Sequence, residues 1–166
     1  MRPTLLKLPP WAFYSLALLY GAAFAPAATI YVANVGNNTV SKVVGGVTSP
    51  FASGFSTPNG VAIDASGNVF VANQSAGSII EITPGGDTST FVSGGLSSPE
   101  GLVFRGGILY VANNGGGTIS AVTAGGGVST YATGVPSPQG LAFDGSGVLY
   151  SSNFNNTISK IAAGGG

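Results

Sequence analysis

The chain has 166 residues, of which 28 are glycine and only 6 % are charged; this length predicts one domain, and average globular chains carry roughly a quarter of charged residues. With no cysteine and no histidine, a disulfide framework, a thiolate metal site, a cysteine nucleophile and the commonest general base are all excluded. Beyond residue 27 the charges are Lys42, Arg105 and Lys160 against Asp64, Glu81, Asp87, Glu100 and Asp144, so the basic stripe that a nucleic-acid partner needs is missing.

Residues 1–27 read as a cleaved signal peptide. Arg2 and Lys7 precede the apolar run "WAFYSLALLYGAAF", and Ala25 and Ala27 supply the small pair before a cut after Ala27. The run is shorter than the roughly 20 residues of a comfortable membrane span. A secreted or periplasmic product with no membrane attachment after cleavage is therefore expected, with an uncleaved anchor as the alternative.

From Ala28 onward the chain is built of copies. The Asn that closes "YVAN", "FVAN", "YVAN" and "YSSN" stands at Asn34, Asn73, Asn113 and Asn153, spaced 39, 40 and 40 residues apart, and Pro58, Pro99 and Pro138 follow at 41 and 39. Self-similarity at this period points to a solenoid, a propeller or an array. Inside the copy from Pro58, four β segments are expected at 60–64, 69–73, 78–82 and 88–93, separated by "ASGN", "QSAG" and "TPGGD", which are dense in turn-forming residues. Four antiparallel strands in about 40 residues make one blade of a β-propeller. The fold class expected is thus all-β, with a partial blade at 28–57, blades at 58–98 and 99–137, and a partial blade at 138–166.

The presumed inner strands read "GVAI", "GLVF" and "GLAF", opening on Gly60, Gly101 and Gly140. Bulk grows outward, through Phe70, Tyr110 and Tyr150 to Phe91 and Tyr131. Blades covered on both faces by neighbours can be apolar on both sides, which accounts for 44 % hydrophobic residues in a chain expected to be soluble. About three and a half blades fall short of the four to eight in closed rings, so an open ring, with self-association through exposed strand edges, is expected.

The pattern P-x-G-[VL]-[AV]-[IF]-D-x-x-G-x-[VL]-[YF]-V-A-N followed by N-N-T-[IV] resembles the NHL repeat and its relatives, over essentially all of residues 30–166. The resemblance implies propeller blades, which serve in scaffolds, ligand binders, lactonases and lyases. Two departures stand out: Asn replaces the Asp more usual after "YVA", and Arg105 replaces the blade Asp found at Asp64 and Asp144. The related lyases and amidating enzymes use histidine, so their activity does not carry over. The variable residues of each P-x-G, Asn59, Glu100 and Gln139, sit at the entry to successive inner strands and hence on one rim of the central channel, where they are the candidate binding residues. The gluconolactonase and regucalcin family is similar in placing oxygen ligands for a divalent metal at this position. That resemblance makes Asn59 and Glu100 acceptable Ca²⁺ ligands and Gln139 a weaker one; the other reading is a polar channel lining with no cofactor.

No catalytic residue is assigned, since a Gly-x-Ser-x-Gly elbow, a Walker loop and a metal-spaced histidine pair are all missing. Asp64 and Asp144 precede Ser-Gly turns and are expected to cap them. Glu81 and Lys160, at corresponding third-strand sites, are expected to be solvated. The function expected is a secreted, non-catalytic binding or scaffold module for a protein, glycan or small ligand, with a Ca²⁺-dependent lactonase-like hydrolase as the alternative.

Overall fold

Turn residues cut the chain into short strands, and each strand pairs antiparallel with its sequence neighbour. The computed structural model describes residues 28–165; the expected signal peptide and its cut site lie outside the described residues. β1 (Thr29–Asn34), β2 (Thr39–Val44) and β3 (Val47–Ser53) form a three-stranded sheet. Two four-stranded sheets follow. The first comprises β4 (Pro58–Ile63), β5 (Val69–Asn73), β6 (Ser78–Ile82) and β7 (Thr88–Val92), and the second β8 (Pro99–Arg105), β9 (Ile108–Asn113), β10 (Thr118–Val122) and β11 (Val128–Ala132). β12 (Pro138–Phe143), β13 (Leu149–Asn153) and β14 (Ile158–Ile161) make the last, three-stranded sheet. The inner strands β4, β8 and β12 lie side by side and β1 touches β4, so the sheets succeed one another as propeller blades, and among the described residues they do not close a ring.

Apolar side chains on both faces of each blade fill the seams between blades, one core per seam. Val40, Phe55, Val69 and Ile82 pack in the first seam, Phe70, Ile79, Leu109 and Val111 in the second, and Ile119, Val135, Leu149 and Ile161 in the third. Burying a side chain of this size is worth about 1.5–3 kcal/mol, and β5 is buried along its whole length. Aromatic residues at equivalent positions pack edge to face or tilted: Tyr31 with Phe51, Phe70 with Phe91 and Phe104, and Tyr110 with Tyr131 and Phe143.

Two glycines set the spacing of the inner strands. A Cβ on Gly60 would overlap the carbonyl oxygen of Glu100, and one on Gly101 would overlap that of Gln139. Consecutive blades therefore meet backbone to backbone at the axis, which larger residues would prevent.

The outward turns explain why Arg105 departs from the pattern. Asp64 Oδ1 accepts from the backbone N–H groups of Ser66 (2.9 Å) and Asn68 (2.8 Å), and Asp144 Oδ1 from those of Ser146 and Val148 (2.9 Å each). In the middle copy the turn is one residue shorter. Arg105 pairs with Ile108 across Gly106 and Gly107, both at positive φ (57° and 78°), a two-residue hairpin that needs no acidic cap.

Candidate functional site

At the other end of the inner strands, each P-x-G opens on a β-bulge. The register slips between Pro58 and Val61 on β4, between Pro99 and Leu102 on β8, and between Pro138 and Gly140 on β12. Bulges re-aim the side chains they carry, and here those are Asn59, Glu100 and Gln139. The residue before each proline, Thr57, Ser98 or Ser137, adopts a left-handed backbone at φ 57°, 48° and 45°, a conformation unfavourable for a non-glycine residue and most of all for β-branched Thr57. Hydrogen bonds hold this strain: the carbonyls of Thr57, Ser98 and Ser137 accept from the N–H groups of Gln74, Asn114 and Phe154 at 3.0–3.1 Å.

The strand-ending asparagines brace the same corner. Asn113 Oδ1 accepts from Ser97 N–H at 3.3 Å, while its Nδ2 donates to Thr118 Oγ1 at 3.1 Å and Ser120 Oγ at 2.8 Å. Asn73 accepts from Ser56 N–H in the same way, and the Nδ2 of Asn153 donates to Thr157 and Ser159. An amide both accepts from backbone and donates to hydroxyls, which a carboxylate cannot do. This dual role gives Asn a physical reason to stand where the NHL pattern has Asp.

The three P-x-G residues Asn59, Glu100 and Gln139 lie in different environments. Asn59 is exposed, Glu100 is 7 % exposed and Gln139 is half-buried. The Nε2 of Gln74, from the turn Gln74–Ala76 after β5, donates to Glu100 Oε1 at 2.7 Å. Burial pushes the Glu100 carboxyl above its ordinary range, and the Gln139 side chain pulls the other way. The structure thus joins Glu100 to Gln74 by a hydrogen bond; among the described residues no hydrogen bond joins it to Asn59. Also among the described residues, no three His, Cys, Asp or Glu side chains cluster. Gln74 is the partner of Glu100 that sequence reasoning passes over. Its signal is positional: it follows the strand-ending Asn, as Val35, Asn114 and Phe154 do in the other copies.

No protein-family model matches the chain, and no curated protein matches it. Solved structures do. A chain of a nidogen/laminin complex superposes with a TM-score of 0.71 at 20 % identity, over 80 % of this chain and 57 % of that one. A catalytically inactive virginiamycin B lyase from Staphylococcus aureus, crystallised with quinupristin, gives 0.64 at 15 % identity, over 82 % and 55 %. A candidate gluconolactonase gives 0.69 at 18 % identity, over 82 % and 57 %. The chain thus spans a little over half the length of these structures, and the likeness shows a shared fold, the β-propeller.

Proposed function

We propose that these propeller blades belong to a secreted, non-catalytic binding module whose channel rim takes a neutral polar ligand, with Asn59, Glu100 and Gln139 facing it. The observation that carries this reading is the state of Glu100: a buried carboxylate already engaged by the amide of Gln74. A row of amides around one carboxylate offers donors and acceptors in alternation, which suits the hydroxyl or amide groups of a glycan, a peptide or a small ligand. Glu100 is the one titratable side chain of this row, since the amides of Asn59, Gln74 and Gln139 do not ionise. The leader-like residues 1–27 support export.

Ca²⁺ takes about six to eight oxygen ligands, whereas this rim brings one carboxylate, with an amide N–H group on it. This donor set does not fit a resident Ca²⁺. What favours the lactonase alternative is the position of Asn59 and Glu100 before the inner-strand glycine, together with the fold shared with a candidate gluconolactonase.

The two readings separate on one sample. Glycan-array binding that is retained in EGTA and lost in Glu100→Ala is the outcome expected for a binding module. A Ca²⁺-dependent rise in melting temperature that disappears in Glu100→Gln, together with turnover of a sugar lactone, would overturn it.

A further inference from the structure

The three seams between blades carry equivalent aromatic clusters, and they differ in where the positive charge comes from. In the register of each blade the second-strand aromatic faces one third-strand residue: Tyr31 faces Lys42, Phe70 faces Glu81, Tyr110 faces Ala121, and Tyr150 faces Lys160. In the first seam Lys42 Nζ lies 5.8 Å from the ring centres of both Tyr31 and Phe51. In the third, the Arg105 guanidinium lies 5.0 Å over Phe143 and donates to the Asp144 carbonyl at 3.0 Å. Both distances are within the reach of a cation–π contact. Each of these two seams thus supplies its own cation.

Among the described residues, no Lys or Arg lies over the rings of the middle seam. Its rings, Phe70, Phe91 and Phe104, lie with centroids 4.9–5.0 Å apart, and the position that holds Lys42 one blade earlier holds Glu81. The Arg105 charge is turned to the next blade, and Asp64 is turned into its own loop by its bonds to Ser66 and Asn68. What remains is a cleft of about 570 Å³, lined by Phe70, Phe91, Phe104 and Val122, with the half-buried Glu81 and Asp64 and the exposed Arg105 also on its lining. That volume is in the range of small-molecule sites, roughly 300–1,000 Å³.

We propose that this cleft binds an organic cation with an apolar body, an alkylammonium group, in the place that Lys42 and Arg105 fill for the neighbouring seams. The rings accept the apolar body and the face of the cation, and Glu81 supplies the opposite charge by a charge-assisted hydrogen bond. The site is on the opposite end of the blades from Glu100 and stands independently of the rim.

The test is ligand-observed NMR and calorimetry on the full chain, with n-butylammonium as probe and n-butanol as its neutral counterpart. n-Butylammonium should bind at least about ten-fold more tightly than n-butanol. Glu81→Lys places an ammonium where Lys42 places one and should abolish binding, Glu81→Gln should weaken it several-fold, and Lys42→Ala should leave it unchanged. If Glu81→Lys fails to fold, Phe104→Leu, which keeps the seam apolar but removes a ring, should still weaken binding. A blocked lysine tetrapeptide distinguishes the source of the cation: tighter binding than n-butylammonium points to a lysine side chain, equal or weaker binding to a free amine. Equal affinity for n-butanol and n-butylammonium, no binding of either, or binding unaffected by both Glu81→Lys and Glu81→Gln would overturn the proposal.

Discussion

Replacing Asn113 by Ala tests how the blades are braced. Asn113 is 2 % exposed and makes three hydrogen bonds, one from Ser97 N–H and two to Thr118 and Ser120. A bond of this kind is worth about 0.5–1.5 kcal/mol net. Ser97 is exposed, so water replaces its lost partner, whereas the buried Ser120 hydroxyl gains no such replacement. The cost should therefore be about 2–3 kcal/mol. At a urea dependence of about 1–3 kcal/mol/M, the unfolding midpoint should fall by about 0.7–3 M. Asn34→Ala is the matched control, since half-buried Asn34 donates to Thr39 and Ser41 within reach of water and should cost no more than about 1 kcal/mol. Urea titrations followed by far-UV circular dichroism measure both. Equal losses for the two variants, or a loss below about 1 kcal/mol for Asn113→Ala, would refute the bracing role.

Gly101→Ala drives a methyl group into the Gln139 carbonyl and should destabilise the chain by about 1–3 kcal/mol or more, read as a lower melting temperature; an unchanged melt would show that the inner strands are not in backbone contact. Glu100→Gln should raise stability at neutral pH. Because burial raises the Glu100 pKa, the folded chain takes up its proton before the unfolded chain does, so the gap between variant and parent should be widest at neutral pH and close as pH falls through the raised value; urea midpoints across pH 4–7.5 (a range of about this width) check it, and a gap that widens on acidification would contradict the sign. Exposed Ile30 and Val32 on β1 and Ile158 on β14 leave apolar sheet edges, and the purified chain should self-associate, as light scattering after size exclusion would show; a monodisperse monomer would speak against open edges.

The repeat made the strands legible, because Gly, Asn and Asp at the turns are local signals: strands expected at 69–73 and 78–82 are found with those bounds as β5 and β6. β4 begins at Pro58 rather than at Gly60, since the bulge lets the strand pair two residues earlier, and a bulge is a property of two strands rather than of one. The bond between Gln74 and Glu100 joins residues 26 apart in different blades, a contact that no single copy of the repeat contains. Glu81 was expected to be solvated like Lys160; Lys160 is exposed, but Glu81 is half-buried, because the complete next blade covers its side of the seam. Arg105 was legible as a departure, while its reach to Asp144 depends on the packing of two blades.

The succession of blades by glycine contact carries the rim and the cleft alike, and NMR can observe it directly. A Cβ direction from Gly60 ends 3.1 Å from Gly101 Cα, and one from Gly101 ends 3.0 Å from Gly140 Cα. Nuclear Overhauser effects should therefore link the α-protons of Gly60 with those of Gly101, and Gly101 with Gly140. If both are missing while the ladder contacts within a blade, such as Leu102 with Val111, are present, the blades exist but do not stack in this order, and the account of rim and cleft is contradicted.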